Sequence, residues 1–378
     1  MWLVLLGVIA FWVALYLAYG RRGGEGKVQI LPFGVIIRAG VSLEPMDPGS
    51  LKARLLRVVG LAGLAVMAYL AYMFFRIVGT LFAVRYLGVE VPGVSREEAG
   101  LVPLIPGVTI PLGDLVYVLV GVGIAALFHE LAHAYIARAE GLRVKDAGIA
   151  FILFFPAAFV EPDEEELKRA PLKSRLAVYS AGVTANTLIY LALALLAGIV
   201  MPHLAYGVAI TGVAPDSPAS EAGLQPGMVI VEANGVRVKS IEELARVLEE
   251  AGVGNPNTSS VVTLKVEYRG QVETITVEKP VGEDRIGVTI VQAYRPQWLG
   301  VTIQSTMFFN LMLAIINAAP LAIPLPGGLL LSDGGHALRD TLARIAGRKG
   351  EIAAGVLNIM VFIVILSLMT LTQIRLTP

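Results

Sequence analysis

Apolar residues in this chain gather into long runs separated by clusters of charge, proline and glycine. Six runs approach or exceed the roughly 20 residues needed to cross a bilayer as a helix: Met1–Tyr19, Val58 to about Leu81, Leu115–Ala137, Leu176–Val200, Gln297–Ala319, and Ile352 to about Thr372. The first has no basic leader and is followed at once by Arg21-Arg22, which reads as a retained helix and not a cleaved signal. Basic clusters at 21–22, 38–57, 138–145, 168–175 and 339–349 fall after alternate spans. The positive-inside rule then puts those loops in the cytoplasm and both termini outside.

Shorter patterns fill the gaps. Leu31–Ile37 is too short to span and reads as a hairpin dipping into the membrane or as an interfacial loop, the loop being preferred on length. Gly148–Val160, rich in aromatic and β-branched residues, reads as a strand pair beside the third span, with an amphipathic surface helix as the alternative. An exposed strand edge there offers a place to hold a peptide backbone extended. Residues 82–113, carrying Pro92, Pro103, Pro106 and Pro111, form an external loop, and Arg76 near the end of the second span must snorkel or find a partner. Pro320, Pro324, Pro326, Gly327 and Gly328 make a stretch that no regular helix continues through. From about Leu204 to Pro296 the pattern changes to alternating strands, Pro/Gly turns and a helix at 240–250. The fold class is therefore a polytopic α-helical membrane protein of about six transmembrane helices with an inserted soluble α/β domain. Its segments are 1–200, 204–296 and 297–378.

Composition agrees: of 378 residues 56% are hydrophobic and 16% charged, as in a multi-span membrane protein. Lys plus Arg equals Asp plus Glu at 30 each, which gives no electrostatic footprint for nucleic acid. With no cysteine, disulfides and thiolate metal sites are excluded, and His, Asp and Glu remain as metal ligands. The four histidines are 129, 133, 203 and 336.

Two of them lie four apart in Leu127-Phe128-His129-Glu130-Leu131-Ala132-His133, near the cytoplasmic end of the third run. On a helix both imidazoles share a face, where one Zn²⁺ can take a nitrogen from each, and Glu130 projects beside them. This is the His-Glu-x-x-His arrangement of two zinc ligands with a glutamate that accepts a proton from water. Ionisable groups inside a membrane are costly, which weighs against a purely structural role. In the fourth run Gly182 and Asn186 share a face, giving either an interhelical hydrogen bond or a donor aimed at an oxyanion or substrate carbonyl. Asn310 and Asn317 likewise share a face of the fifth.

Within 204–296, the block Ala222-Gly223-Leu224-Gln225-Pro226-Gly227-Met228-Val229-Ile230, followed by Asn234-Gly235, resembles a PDZ domain. The resemblance implies capture of a peptide C-terminus by a loop at Arg285-Ile286-Gly287-Val288, or else a size filter that blocks bulky substrates. A transmembrane His-Glu-x-x-His, a later Asp333-Gly334-Gly335 after a broken stretch, and an inserted PDZ-like domain together resemble the site-2 protease family of intramembrane zinc metalloproteases, from about residue 110 to 340. The resemblance implies one Zn²⁺ per chain on His129, His133 and Asp333, Glu130 as catalytic base, and Asn186 and Asn317 steadying the substrate. It also implies membrane-anchored regulatory proteins as substrates. Val183 stands where the family usually has proline, and Asn317 lies 16 positions before Asp333, farther than usual. Other carboxylates and imidazoles near the same side are His336, Glu161 and Asp163. Asp333 is preferred among them because Gly334-Gly335 allows close backbone approach and a carboxylate lowers the buried charge. A membrane zinc transporter or sensor, and an inactive PDZ scaffold, are the rival classes. Neither needs Glu130 beside an intact ligand set.

Overall fold

The computed structural model describes residues 2–20, 26–92, 94–96, 99–106, 109–110, 112–152, 155–325 and 328–369. Arg21-Arg22, Pro111, Pro326, Gly327 and the end of the sixth run beyond 369 lie outside them. The chain divides into two compact units, one formed by Met1–Leu193 with Gln304–Pro378 and one by Ala194–Ile303.

The first unit is built on helices. Among the described residues, five are long and apolar enough to cross a membrane: α2 (Leu51–Leu87), α3 (Leu115–Ala139, entered through a 3-10 turn), α5 (Leu172–Leu204), α8 (Gln297–Ala318) and α9 (Asp333–Leu368). α1 (Trp2–Tyr19) is apolar along its length. α2 overruns its apolar core at both ends because its stop signals lie in the polar flanks. The Ser50 side chain accepts the Ala53 N–H, and Gly88 ends the helix in the left-handed region at φ 69°. Large side chains such as Tyr72, Leu188, Leu191 and Ile363 face outward, while Gly60, Gly63 and Ser180 are buried where α2 meets α5. The Ser180 hydroxyl donates to the Gly60 carbonyl at 2.8 Å, and a Cβ on Gly63 would come 3.0 Å from Ser180 Oγ. α2 and α5 thus meet backbone to backbone, as small residues allow in lipid.

A four-stranded antiparallel sheet joins these helices, in the order β1 (Val28–Leu31), β2 (Gly34–Arg38), β3 (Val144–Ile152), β4 (Phe155–Pro162). Gly148–Val160 is thus the strand pair expected, within a wider sheet. The preferred loop reading of 31–37 is corrected: these residues form a hairpin whose second strand pairs with β3, Gly34 opposite Ile152 and Arg38 opposite Gly148. Pairing satisfies backbone groups that an apolar loop would leave open. The acidic run 164–166 begins a short helix, α4 (Glu164–Arg169). Asp163 caps it by accepting the N–H groups of Glu165 and Glu166.

The proline-rich break after α8 is a short hairpin, β11 (Ala322–Leu325) with β12 (Gly328–Leu331). α9 follows and itself reverses at Ala346 and Gly347, the latter at φ 57°, ψ −140°. Its limbs are 333–345 and 348–368.

The second unit is a six-stranded antiparallel sheet with two helices. β10 (Val288–Tyr294), β5 (Ala205–Val213), β6 (Val229–Ala233), β8 (Ser260–Tyr268) and β9 (Gln271–Lys279) lie in that order, and β7 (Val236–Arg237) pairs with β6. β9 is one edge of the sheet, and the chain then returns to the opposite edge, where β10 pairs with β5. α6 (Pro218–Glu221) and α7 (Ile241–Glu250) complete it, over a core that includes Val208, Ile230, Leu244, Leu264 and Val277. Asn234 and Gly235, at φ 48° and 78°, make the tight turn between β6 and β7. Lys279 is buried, with its ammonium donating to the carbonyls of Asn255, Thr258, Pro280 and Glu283 at 2.7 to 3.3 Å.

Candidate metal centre

One turn of α3 brings the His129 and His133 rings to 4.8 Å between centroids, both buried. The ring of His133 is fixed from behind: its Nδ1 lies 2.8 Å from the Val178 carbonyl of α5. A carbonyl can only accept, so Nδ1 carries the proton and Nε2 presents its lone pair. The ring of His129 lies against Gly182, where a Cβ would come 2.5 Å from Nε2 and 2.6 Å from Cδ2. Only glycine leaves the imidazole room.

Asp333 enters from the start of α9. Ser332 caps that helix, its Oγ accepting the Gly335 N–H at 3.0 Å, and Gly334 abuts the Ala318 and Ala319 carbonyls where no side chain would fit. The carboxylate Oδ2 of Asp333 lies 3.2 Å from His129 Nε2 and 3.4 Å from His133 Nε2. All three donor atoms fall within 4.8 Å of one another. Tetrahedral zinc with bonds near 2.0 Å needs donors about 3.3 Å apart. The two measured separations match that spacing, and Asp333 Oδ2 is buried with no hydrogen-bond partner among the described residues. Two imidazole nitrogens and a carboxylate oxygen converging in this way fit a divalent cation.

The other candidate ligands are engaged elsewhere. Glu161 pairs with Arg38 at 2.8 Å, and Asp163 caps α4 and pairs with Lys145 at 3.2 Å. His336 stacks on Tyr179, with ring centroids 5.3 Å apart, and is not in the donor cluster.

Glu130 stands outside the cluster, and its Oε2 accepts the Val160 N–H of β4 at 3.0 Å. The register explains this contact. Ala147, opposite Val160, gives its carbonyl to the Ala39 N–H on the far side, so Val160 turns its own amide away from β3. β4 is the edge of its sheet, and that edge runs along α3. Asn186, one turn from Gly182, is fully buried, and neither amide atom has a partner among the described residues. Asn317 donates its amide to Leu313 of its own helix at 3.1 Å. In the second unit, Ile286, Gly287 and Val288 form the lead into β10, with the Ile286 and Gly287 carbonyls accepting from Ala219 and Ala214 at 2.8 Å.

Two groups were not singled out from sequence. Asp340 gathers Arg175 and Tyr179 at 2.9 Å and Arg339 at 3.2 Å. Asn358, fully buried, donates its amide to the Gly335 carbonyl at 3.3 Å. The signal available for Asn358 was its isolation as an amide in the apolar run from Ile352 onward.

The fold and donor set define a bundle of apolar helices enclosing a His-His-Asp metal-binding geometry with a glutamate alongside. Residues 117–369 match the model of Peptidase family M50, and the chain belongs to that family, which is one of metalloproteases. It is 28% identical over 289 residues to an uncharacterized protein of Methanocaldococcus jannaschii, covering 74% of this chain and 72% of that one. A membrane-bound transcription factor site-2 protease homolog of Arabidopsis thaliana is 32% identical over 173 residues, 44% of this chain and 34% of the plant protein. A Nostoc protein provisionally named a zinc metalloprotease is 31% identical over 195 residues, 41% and 52% of the two chains. The resemblance to site-2 proteases drawn from the motifs is borne out.

Proposed function

We propose that this protein is an intramembrane zinc metalloprotease that hydrolyses a peptide bond within or near a transmembrane segment of a membrane-anchored regulatory protein. The observation that carries the proposal is the 3.2 and 3.4 Å approach of one Asp333 oxygen to two histidine nitrogens beside Glu130. His129, His133 and Asp333 would hold Zn²⁺, which when bound supplies a Lewis acid for the scissile carbonyl and lowers the pKa of water.

The remaining chemistry belongs to the chain. Glu130, held by the Val160 amide, accepts a proton from the attacking water and passes it to the leaving amine. A helical substrate must unwind to expose its carbonyl, and β4, the terminal strand of its sheet, offers backbone hydrogen bonds to the extended segment that results. The Asn186 amide, buried and without a partner among the described residues, is suited to steady a substrate carbonyl, with Asn317 assisting from α8.

In this reading the protein is a multi-pass membrane protein with its active site toward the cytoplasmic side and residues 204–296 outside. The strand order, the Asn234-Gly235 turn and the segment 286–288 that leads into β10 support a PDZ-like domain. It would receive a peptide C-terminus or filter substrates by size.

The test is cleavage of a membrane-tethered substrate by purified protein against Glu130→Gln. That variant is expected to lose proteolysis and keep close to one zinc per chain. Retained activity overturns the mechanism, and lost zinc would make Glu130 a ligand.

A further inference from the structure

Asn358 is the only amide on the second limb of α9, in a neighbourhood of Val356, Leu357, Ile359 and Met360. It is fully buried, its Nδ2 lies 3.3 Å from the Gly335 carbonyl, and its Oδ1 has no partner among the described residues. Along a straight helix two residues 23 apart would be separated by about 34 Å. They meet here because α9 reverses at Ala346 and Gly347 and lays its second limb back along its first.

Packing alone does not account for an amide at this place. A leucine has the same branched shape and would bury no polar group, whereas Asn358 leaves its oxygen without a partner among the described residues. What the amide touches is more informative. Gly335 is two residues beyond Asp333, in a Gly-Gly pair with little conformational preference of its own. Side chains hold both of its backbone groups, the N–H by Ser332 Oγ at 3.0 Å and the carbonyl by Asn358. On its other side Gly334 rests against the end of α8.

We infer that Asn358 is a positioning residue for the Asp333 ligand. Its amide fixes the Gly335 carbonyl and so sets where the Asp333 carboxylate stands relative to His129 and His133. This inference rests on the metal-site reading given above. It implies that the last limb of the chain, which contributes no donor atom, determines how well the donor set is assembled.

The experiment measures zinc affinity by chelator competition, together with the melting midpoint of zinc-free protein, for wild type, Asn358→Leu, Asn358→Ala and Asp333→Ala. Removing a group that orients a ligand typically costs on the order of tenfold or more in metal affinity. Both Asn358 variants are expected to bind zinc about tenfold more weakly. In both, zinc affinity should fall by more than the change in the zinc-free melting midpoint accounts for, a combination that a merely structural role would not produce. Asp333→Ala should lose the metal. If Asp333→Ala loses zinc and both Asn358 variants bind it within twofold of wild type, the positioning inference is wrong and the metal site stands. It is also wrong if affinity falls only in step with the zinc-free melting midpoint. If Asp333→Ala keeps its zinc, both readings fall together.

Discussion

Gly182→Ala adds one methyl group at the point where α5 meets the first metal-directed histidine. An ideal Cβ there lies 2.5 Å from His129 Nε2 and 2.6 Å from Cδ2, about 0.9 Å short of ordinary van der Waals contact. The ring is buried between two long helices and has no open side to move into, so the strain falls on the imidazole or on the α3–α5 separation. Metal sites tolerate ligand displacements of only about 0.2 Å, and overpacking in such settings costs about 1–3 kcal/mol. Expressed in zinc affinity, that is a loss of about 5- to 150-fold. Gly198→Ala, on the same helix with nothing within 4 Å of the added carbon, is the control. It should leave zinc binding unchanged and gain up to about 1 kcal/mol of helix propensity. Chelator competition on both purified variants reads the difference. If Gly182→Ala binds zinc as tightly as wild type, then His129 does not hold the metal in the geometry described.

Two further outcomes follow. His336→Ala should keep close to one zinc per chain by elemental analysis, because His336 is stacked on Tyr179 and outside the donor cluster; loss of zinc would return it to the ligand set. Asn234→Cys, in a chain with no native cysteine, should react with a membrane-impermeant thiol reagent applied to intact cells, and labelling only after lysis would reverse the proposed topology.

The helices were legible because hydrophobic runs of this length have few other uses, and the two histidines because four-residue spacing is a local geometry. What escaped was non-local or lay at boundaries. Nothing within 31–37 announces a strand, since its partner lies more than a hundred residues away in β3. The ends of α2 lie at Ser50 and Gly88, outside the apolar run that marked the helix. Sequence raised Glu161 and Asp163 as possible ligands. Setting them aside took the contacts with Arg38 and Lys145 and the discovery that 164–169 is a helix needing a cap. Asn358 was invisible as a neighbour of Gly335 because that meeting depends on the reversal at Gly347.

The donor set is divided along the chain, with His129 and His133 on one side and Asp333, 200 positions after His133, on the other. Ribosomes add about 5–20 residues per second, so a growing chain carries its histidines for roughly 10–40 s before the carboxylate has been made. Throughout that interval the enclosing helices can enter the membrane beside other newly made proteins with no complete three-donor centre among them. Assembly of the three-donor site is thereby tied to the late stages of translation.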